Sequence, residues 1–194
     1  IAISYTTRGL WDQILGRQPN DTPTVDDISI VIHKGETIGL VGESGSGKST
    51  ILKAIAGLIP TRNGRITYNG NELLKASVDQ RSNDQLRRIQ LIFQNPDDSL
   101  NPRQTVAEIL AQPLRLYFGL SNQELHDRSV EILERVRLGG HYLDRLPSQL
   151  SGGEKQRVAV ARAFIAEPEL VLCDEVTSAL DVSVQAAVLE LLNR

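Results

Sequence analysis

The residues of this chain with chemistry in their spacing are a glycine-framed lysine, a pair of acids and a glycine pair. Gly42-Glu43-Ser44-Gly45-Ser46-Gly47-Lys48-Ser49-Thr50 fits G-x-x-x-x-G-K-[ST], with every fixed position filled. Such glycines let successive backbone N–H groups wrap a polyphosphate at the positive end of a helix dipole. Lys48 then reaches the β- and γ-phosphates, and the Ser49 hydroxyl holds Mg²⁺. An accidental Gly/Ser turn is the plainer alternative, and the flanking pattern weighs against it. Asp174-Glu175 closes the apolar run Leu170-Val171-Leu172-Cys173. An acid in Asp174's place can share Mg²⁺, and Glu175 can polarise an attacking water. Two acids after a strand can also open a solvated turn; the phosphate loop upstream favours catalysis. Ser151-Gly152-Gly153-Glu154 reads first as a capping box. Capping does not ask for two glycines, which cost about 1 kcal/mol each inside a helix, whereas bare backbone suits an anion.

The elements that position these residues follow from the apolar pattern. Residues 1–5 read as a strand, 6–24 as a polar loop, and 25–32 as a second strand with Ile28, Ile30 and Ile32 alternating. A turn at 33–36 leads to the strand 37–41 before the glycine loop, and the helix after the loop stops at Gly57. Asn69-Gly70 is a turn signal after a short strand, 65–68, and a polar, helical passage leads to the strand 88–93. Thr105/Glu108 and Ser121/Glu124 cap two helices, the first of which Pro113 should bend or split. A helix from Ser151 to about Ala166, the strand 170–173 and a last helix from Val182 complete the chain. The helical stretch 95–150 reads as a lobe inserted between a first part, 1–94, and a last part, 151–194.

Composition narrows the class. The chain has 194 residues, 40% hydrophobic and 23% charged, with net charge −3. That balance gives no electrostatic case for a nucleic-acid partner. The single cysteine, Cys173, excludes an internal disulfide and reads as a small buried hydrophobe. His33, His126 and His141 read as turn or surface residues, and no apolar run is long enough to span a bilayer. The chain contains no methionine.

Leu150-Ser151-Gly152-Gly153-Glu154-Lys155-Gln156-Arg157 resembles the signature motif of ATP-binding cassette (ABC) ATPases, with Glu154 where glutamine is usual. Gln94 resembles the Q-loop glutamine of that family. Asp174-Glu175 resembles its Walker B acid and catalytic base, and Ser178-Ala179-Leu180-Asp181 its D-loop. Tyr5 falls where the family stacks an aromatic on adenine, with Trp11 as a competitor. The runs 93–103 and 180–185 are similar to ATPase subunits of oligopeptide, dipeptide and nickel importers.

The resemblance implies an α/β P-loop NTPase core with a mainly parallel sheet, an antiparallel β portion and an inserted helical subdomain. It implies ATP and Mg²⁺ as ligands, with catalytic roles for Glu175, Lys48 and Gln94. Metal contacts fall to Ser49, Gln94 and Asp174. Nucleotide contacts fall to Tyr5, residues 42–50, Gln94, Ser151, Gly152, Gly153 and Asp181. It also implies a second cassette packed head to tail, and transmembrane permease subunits holding the pair at the cytoplasmic face of the inner membrane. The family's switch histidine lies further beyond Walker B than residues 176–194 reach, so the sequence reads as a fragment of a cassette. A nucleotide-binding fragment that does not hydrolyse ATP, or a non-transport ABC ATPase, is the alternative.

Overall fold

The computed structural model describes residues 25–61, 63–73 and 78–175. They belong to two compact units, Ile1–Arg81 and Ser82–Arg194.

In the first unit, helix α1 (Lys48–Ala56) buries Ile51 and Ala54 against Val25, with Ile28, Leu40, Ile55 and Ile59 packed around them. It ends at Gly57, whose φ of 83° is left-handed; the N–H groups of Gly57 and Leu58 close back on the carbonyls of Ala54 and Lys53. Arg81 Nη2 donates to the Ile55 carbonyl at 2.7 Å, placing a cation at the negative end of the helix. Strands β1 (Ile66–Tyr68) and β2 (Asn71–Leu73) form an antiparallel hairpin. Asn69 (φ 48°) and Gly70 (φ 78°) both take the left-handed backbone that a tight two-residue hairpin turn needs.

The strands expected at 25–32 and 37–41 do not form. Among the described residues nothing pairs with either run beyond a single bridge at Val25, and neither carries strand structure. An apolar run becomes a strand only where a neighbour takes its N–H and C=O groups, and side-chain alternation cannot supply one. Val25, Ile28 and Leu40 still pack on α1, while Val31 and Val41 are 71% and 99% exposed.

The second unit runs α2 (Asn83–Arg88), β3 (Ile89–Ile92), α3 (Val106–Phe118), α4 (Asn122–Arg135), α5 (Gly152–Phe164) and β4 (Leu170–Cys173). β3 and β4 are parallel, in register from Ile89 opposite Leu170 to Ile92 opposite Cys173. Leu110 and Leu114 of α3, Leu133 of α4 and Val158 and Val160 of α5 are fully buried in one core. Each of the four described α-helices of this unit starts on a Ser/Thr capping box, at Ser82, Thr105, Ser121 and Ser151. Pro113 does not split α3, which runs through it at the cost of one helical hydrogen bond. His33, His126 and His141 are exposed.

Cys173 is exposed rather than buried. The protein around its sulfur nevertheless pushes the thiol up to about 11 by desolvation, so it stays protonated and unreactive at neutral pH.

Candidate functional site

The phosphate loop shapes itself around its lysine. Lys48 Nζ donates to the carbonyls of Gly42 and Glu43, both at 2.8 Å, with Ser46 Oγ at 3.5 Å. The half-buried lysine thus folds back over its own loop instead of projecting outward. Gly42 leaves room for Ser46, because a Cβ there would stand 2.8 Å from Ser46 Oγ. Gly47, the N-cap of α1, has φ 93° and no side chain to cap the helix; the first turn carries no acid. Its leading N–H groups therefore have no side-chain oxygen from the cap and no competing carboxylate, which is what an incoming anion requires. Glu43, Ser44 and Gly45 are exposed on the loop, and Ser49 and Thr50 lie half-buried on the first turn of α1.

The second unit brings together residues far apart in sequence. Gln94, just past β3, donates from Nε2 to Glu175 Oε2 at 2.6 Å, just past β4. The parallel pairing of the two strands makes this meeting possible, because both chains leave the sheet at the same end. Asp174 is buried, and its N–H extends the ladder onto the Ile92 carbonyl at 3.0 Å. Glu175 is exposed, with a left-handed φ of 48°, a conformation that costs a non-glycine residue about 1–2 kcal/mol. Such strain collects at functional positions.

At the start of α5, the Ser151 hydroxyl accepts from the Glu154 N–H at 3.4 Å, and Glu154 Oε2 accepts from the Ser151 N–H at 2.7 Å. Among the described residues, nothing in the packing requires Gly152 and Gly153 to be bare. A Cβ on either would meet nothing within 4 Å. Glu154 also accepts from the Tyr142 hydroxyl, and that bond leads the causes that bring its carboxyl down to about 2.

Two links tie the segment after Gln94 to this helix. Lys155 Nζ pairs with Asp97 Oδ1 at 2.7 Å, and Arg162 Nη1 donates to the Ser99 carbonyl at 2.8 Å. The sequence gives no local sign of either, since each joins residues about sixty apart. Tyr142 was missed too; its one trace is the unusual glutamate at 154. Gln156 is fully buried with neither amide atom hydrogen-bonded. Tyr5, Trp11 and Asp181 lie outside the described residues.

Residues 25–178 match the family described as ABC transporter. The chain is 45% identical over 181 residues to the oligopeptide transport ATP-binding protein OppF of Salmonella typhimurium, covering 91% of this chain and 53% of that protein. A putative peptide import ATP-binding protein of Brucella abortus is 42% identical over 168 residues, or 87% of this chain and 50% of that one. The chain thus spans about half the length of the curated relatives it matches. Among solved structures, a post-hydrolysis dimer of an ATP-binding cassette bound to ADP and Pi matches with a TM-score of 0.80 and 28% identity. That match covers 98% of this chain and 78% of the other. An ATP-binding subunit of an ABC transporter matches with a TM-score of 0.76 and 33% identity, over 90% of this chain and 69% of the other. The expected α/β P-loop NTPase class is therefore the fold of this chain. A glycine loop open to phosphate, an acid pair closing a parallel strand and a glycine-started helix stand in one chain, which belongs to the ABC transporter family.

Proposed function

We propose that this chain binds ATP and hydrolyses it as the nucleotide-binding part of an importer for peptides or similar small solutes. The observation that carries the reading is the Gln94–Glu175 bond, which puts an amide on a carboxylate at the common end of two parallel strands. Glu175 acts as general base, taking the proton of the attacking water, and Gln94 orients it. Lys48 exchanges the carbonyls of Gly42 and Glu43 for the β- and γ-phosphates, since an ammonium–phosphate bond is charge-assisted from both sides. Backbone N–H groups along 42–50 hold the remaining phosphate oxygens. Mg²⁺ fits the donor set, because the Ser49 hydroxyl, the Asp174 carboxylate and the Gln94 amide oxygen are all hard oxygen ligands. When bound it supplies neutralisation of phosphate charge.

Tyr5 at adenine and Asp181 in the D-loop complete the nucleotide contacts in this reading. The core comprises 1–94 and 151–194, with 95–150 as the helical lobe. The peptide assignment is supported by relatives named for oligopeptide transport and peptide import. A head-to-tail pair of cassettes is supported by neighbours that are dimeric. In that pair each Ser151-Gly152-Gly153 helix start faces the other molecule's γ-phosphate. Attachment at the cytoplasmic face of the plasma membrane comes through permease subunits; no described helix is long and apolar enough to cross a bilayer.

Glu175→Gln tests the reading, because it keeps the size and hydrogen bonding of the side chain but cannot take a proton. ATP binding is expected to persist while steady-state hydrolysis falls by about 10²–10⁴-fold. Turnover within a few-fold of the parent would remove Glu175 as the base.

A further inference from the structure

The capping boxes that open the four described α-helices of the second unit are not equivalent. Gln85, Glu108 and Glu124 each serve the N-cap residue of their own helix. Glu154 serves Ser151 in the same way with Oε2, and its other oxygen accepts from the hydroxyl of Tyr142 at 2.5 Å. Among the described residues it is the only box with a hydrogen bond from a side chain outside its own helix. A carboxylate offers two acceptor oxygens, so it takes both donors in charge-assisted bonds. An amide offers one such oxygen, which the Ser151 N–H takes, and must meet the Tyr142 hydroxyl with its NH₂, a neutral and weaker bond.

Tyr142 is itself firmly held. It ends the 3₁₀ turn Gly140–Tyr142, its ring lies 4.6 Å from that of His141, and the Arg145 guanidinium sits 4.3 Å from the ring centre. Gly139 makes room for that stack, because a Cβ there would stand 2.8 Å from His141 Nδ1. The carbonyls of Leu143 and Arg145 then accept the N–H groups of Ala107 and Val106, the first residues of α3. A continuous path of bonds therefore runs from the start of α3, through Tyr142, to the start of α5.

We propose that Tyr142 is a positioning residue, acting through Glu154 to fix the direction in which the Ser151-Gly152-Gly153 helix start presents its backbone N–H groups. The proposal rests on the reading above, in which that helix start meets a second molecule's nucleotide. A helix end that is only capped keeps its fold and can still tilt. One tied from outside keeps its aim, and aim matters most in the closed, reacting pair.

Tyr142→Phe in the intact protein removes the hydroxyl alone. ATP affinity of the separate chain and KM for ATP should stay within about twofold, while kcat should fall by roughly ten- to a hundredfold, the scale of one charge-assisted bond. Glu154→Gln, which keeps the cap and a neutral bond to Tyr142, should retain most of the turnover. Glu154→Ala should lose at least as much as Tyr142→Phe, and adding Tyr142→Phe to it should cost nothing further. Unchanged kcat in Tyr142→Phe overturns the proposal, as does an equal loss from Tyr142→Phe in the Glu154→Ala background. A change in KM rather than kcat also overturns it. If Tyr142→Phe does not fold, the Glu154 pair decides: equal turnover in Glu154→Ala and the parent sinks the proposal. Glu175→Gln run alongside separates the two ideas. Normal loss there with no effect at Tyr142 refutes the positioning role alone, and absence of ATP turnover in the parent refutes the reading and the proposal together.

Discussion

Two helices begin with glycine, and they begin in opposite ways. α1 starts on Gly47, left-handed at φ 93°, with no side-chain cap and no acid in its first turn. α5 starts on Ser151, extended at φ −67°, with a complete capping box and Glu154 in its first turn. The first leaves its leading donors to a ligand and lets Lys48 occupy the loop's carbonyls meanwhile. The second is stable without a ligand. Its serine and glutamate settle the third position, while Gly152 and Gly153 keep bare backbone at the first two, with open space where a Cβ would stand. In the proposed reading one end captures an anion, and the other holds its shape until an anion is brought to it. That contrast fits a site assembled from two molecules, each supplying a different helix start.

The sharpest way to break the comparison is to damage each end and ask which property is lost. Lys48→Ala should reduce ATP affinity roughly a hundredfold or more, the worth of charge-assisted bonds to phosphate, as read by titration calorimetry. Ser151→Arg should leave the affinity of the separate chain nearly unaltered and abolish ATP-dependent dimerisation, as read by light scattering. If Ser151→Arg chains still dimerise with ATP, α5 is not acting across an interface.

A gentler substitution sharpens the same contrast. At Gly153 an added methyl meets nothing among the described residues, and alanine is the better helix former by up to about 1 kcal/mol. Gly153→Ala should therefore be neutral or stabilising in thermal unfolding, yet lower turnover several-fold, because in the proposed pair that open space takes the second molecule's phosphate. Stability and turnover falling together would mean that the glycine serves its own fold.

What could be read from the sequence was whatever depends on near neighbours. The phosphate loop, the boxes at Thr105, Ser121 and Ser151, and the Asn69-Gly70 turn are all specified within a few residues. The box at Ser82 has the same signature, and the helix it starts is only six residues long. The apolar runs at 89–92 and 170–173 found each other as parallel partners, while those at 25–32 and 37–41 look no different in sequence and have no ladder among the described residues. Pairing is a property of two segments, so periodicity in one cannot decide it. The Lys155–Asp97 pair and the Tyr142–Glu154 bond escaped for the same reason: each partner is unremarkable until the fold brings the other to it.

The smallest effect lies in acid, where α5 differs from α1 in carrying a carboxylate at all. Glu154 is held at about 2 against an ordinary 4.5, first by the Tyr142 hydroxyl and then by the backbone and hydroxyl of Ser151. A carboxyl lowered on folding adds stability that is complete above the unfolded value, near 4.5, and is lost as pH falls through the folded value, near 2. Tyr142→Phe removes the leading cause and moves the folded value upward. The parent's advantage over Tyr142→Phe in thermal midpoint, about a few degrees, should therefore be constant from about pH 5 to about 9, below the ionisation of a tyrosine hydroxyl. It should shrink steadily between 4.5 and 2, where Glu154 takes up its proton in both proteins. Glu154→Gln has no carboxyl to titrate, and in that background the difference between Tyr142 and Phe should not change across the window. Midpoints measured at closely spaced pH values in the parent, the two single variants and the double variant check this. An advantage that stays the same down to pH 2 would mean that the Tyr142 hydroxyl stabilises by some contact other than its bond to the charged Glu154 carboxylate.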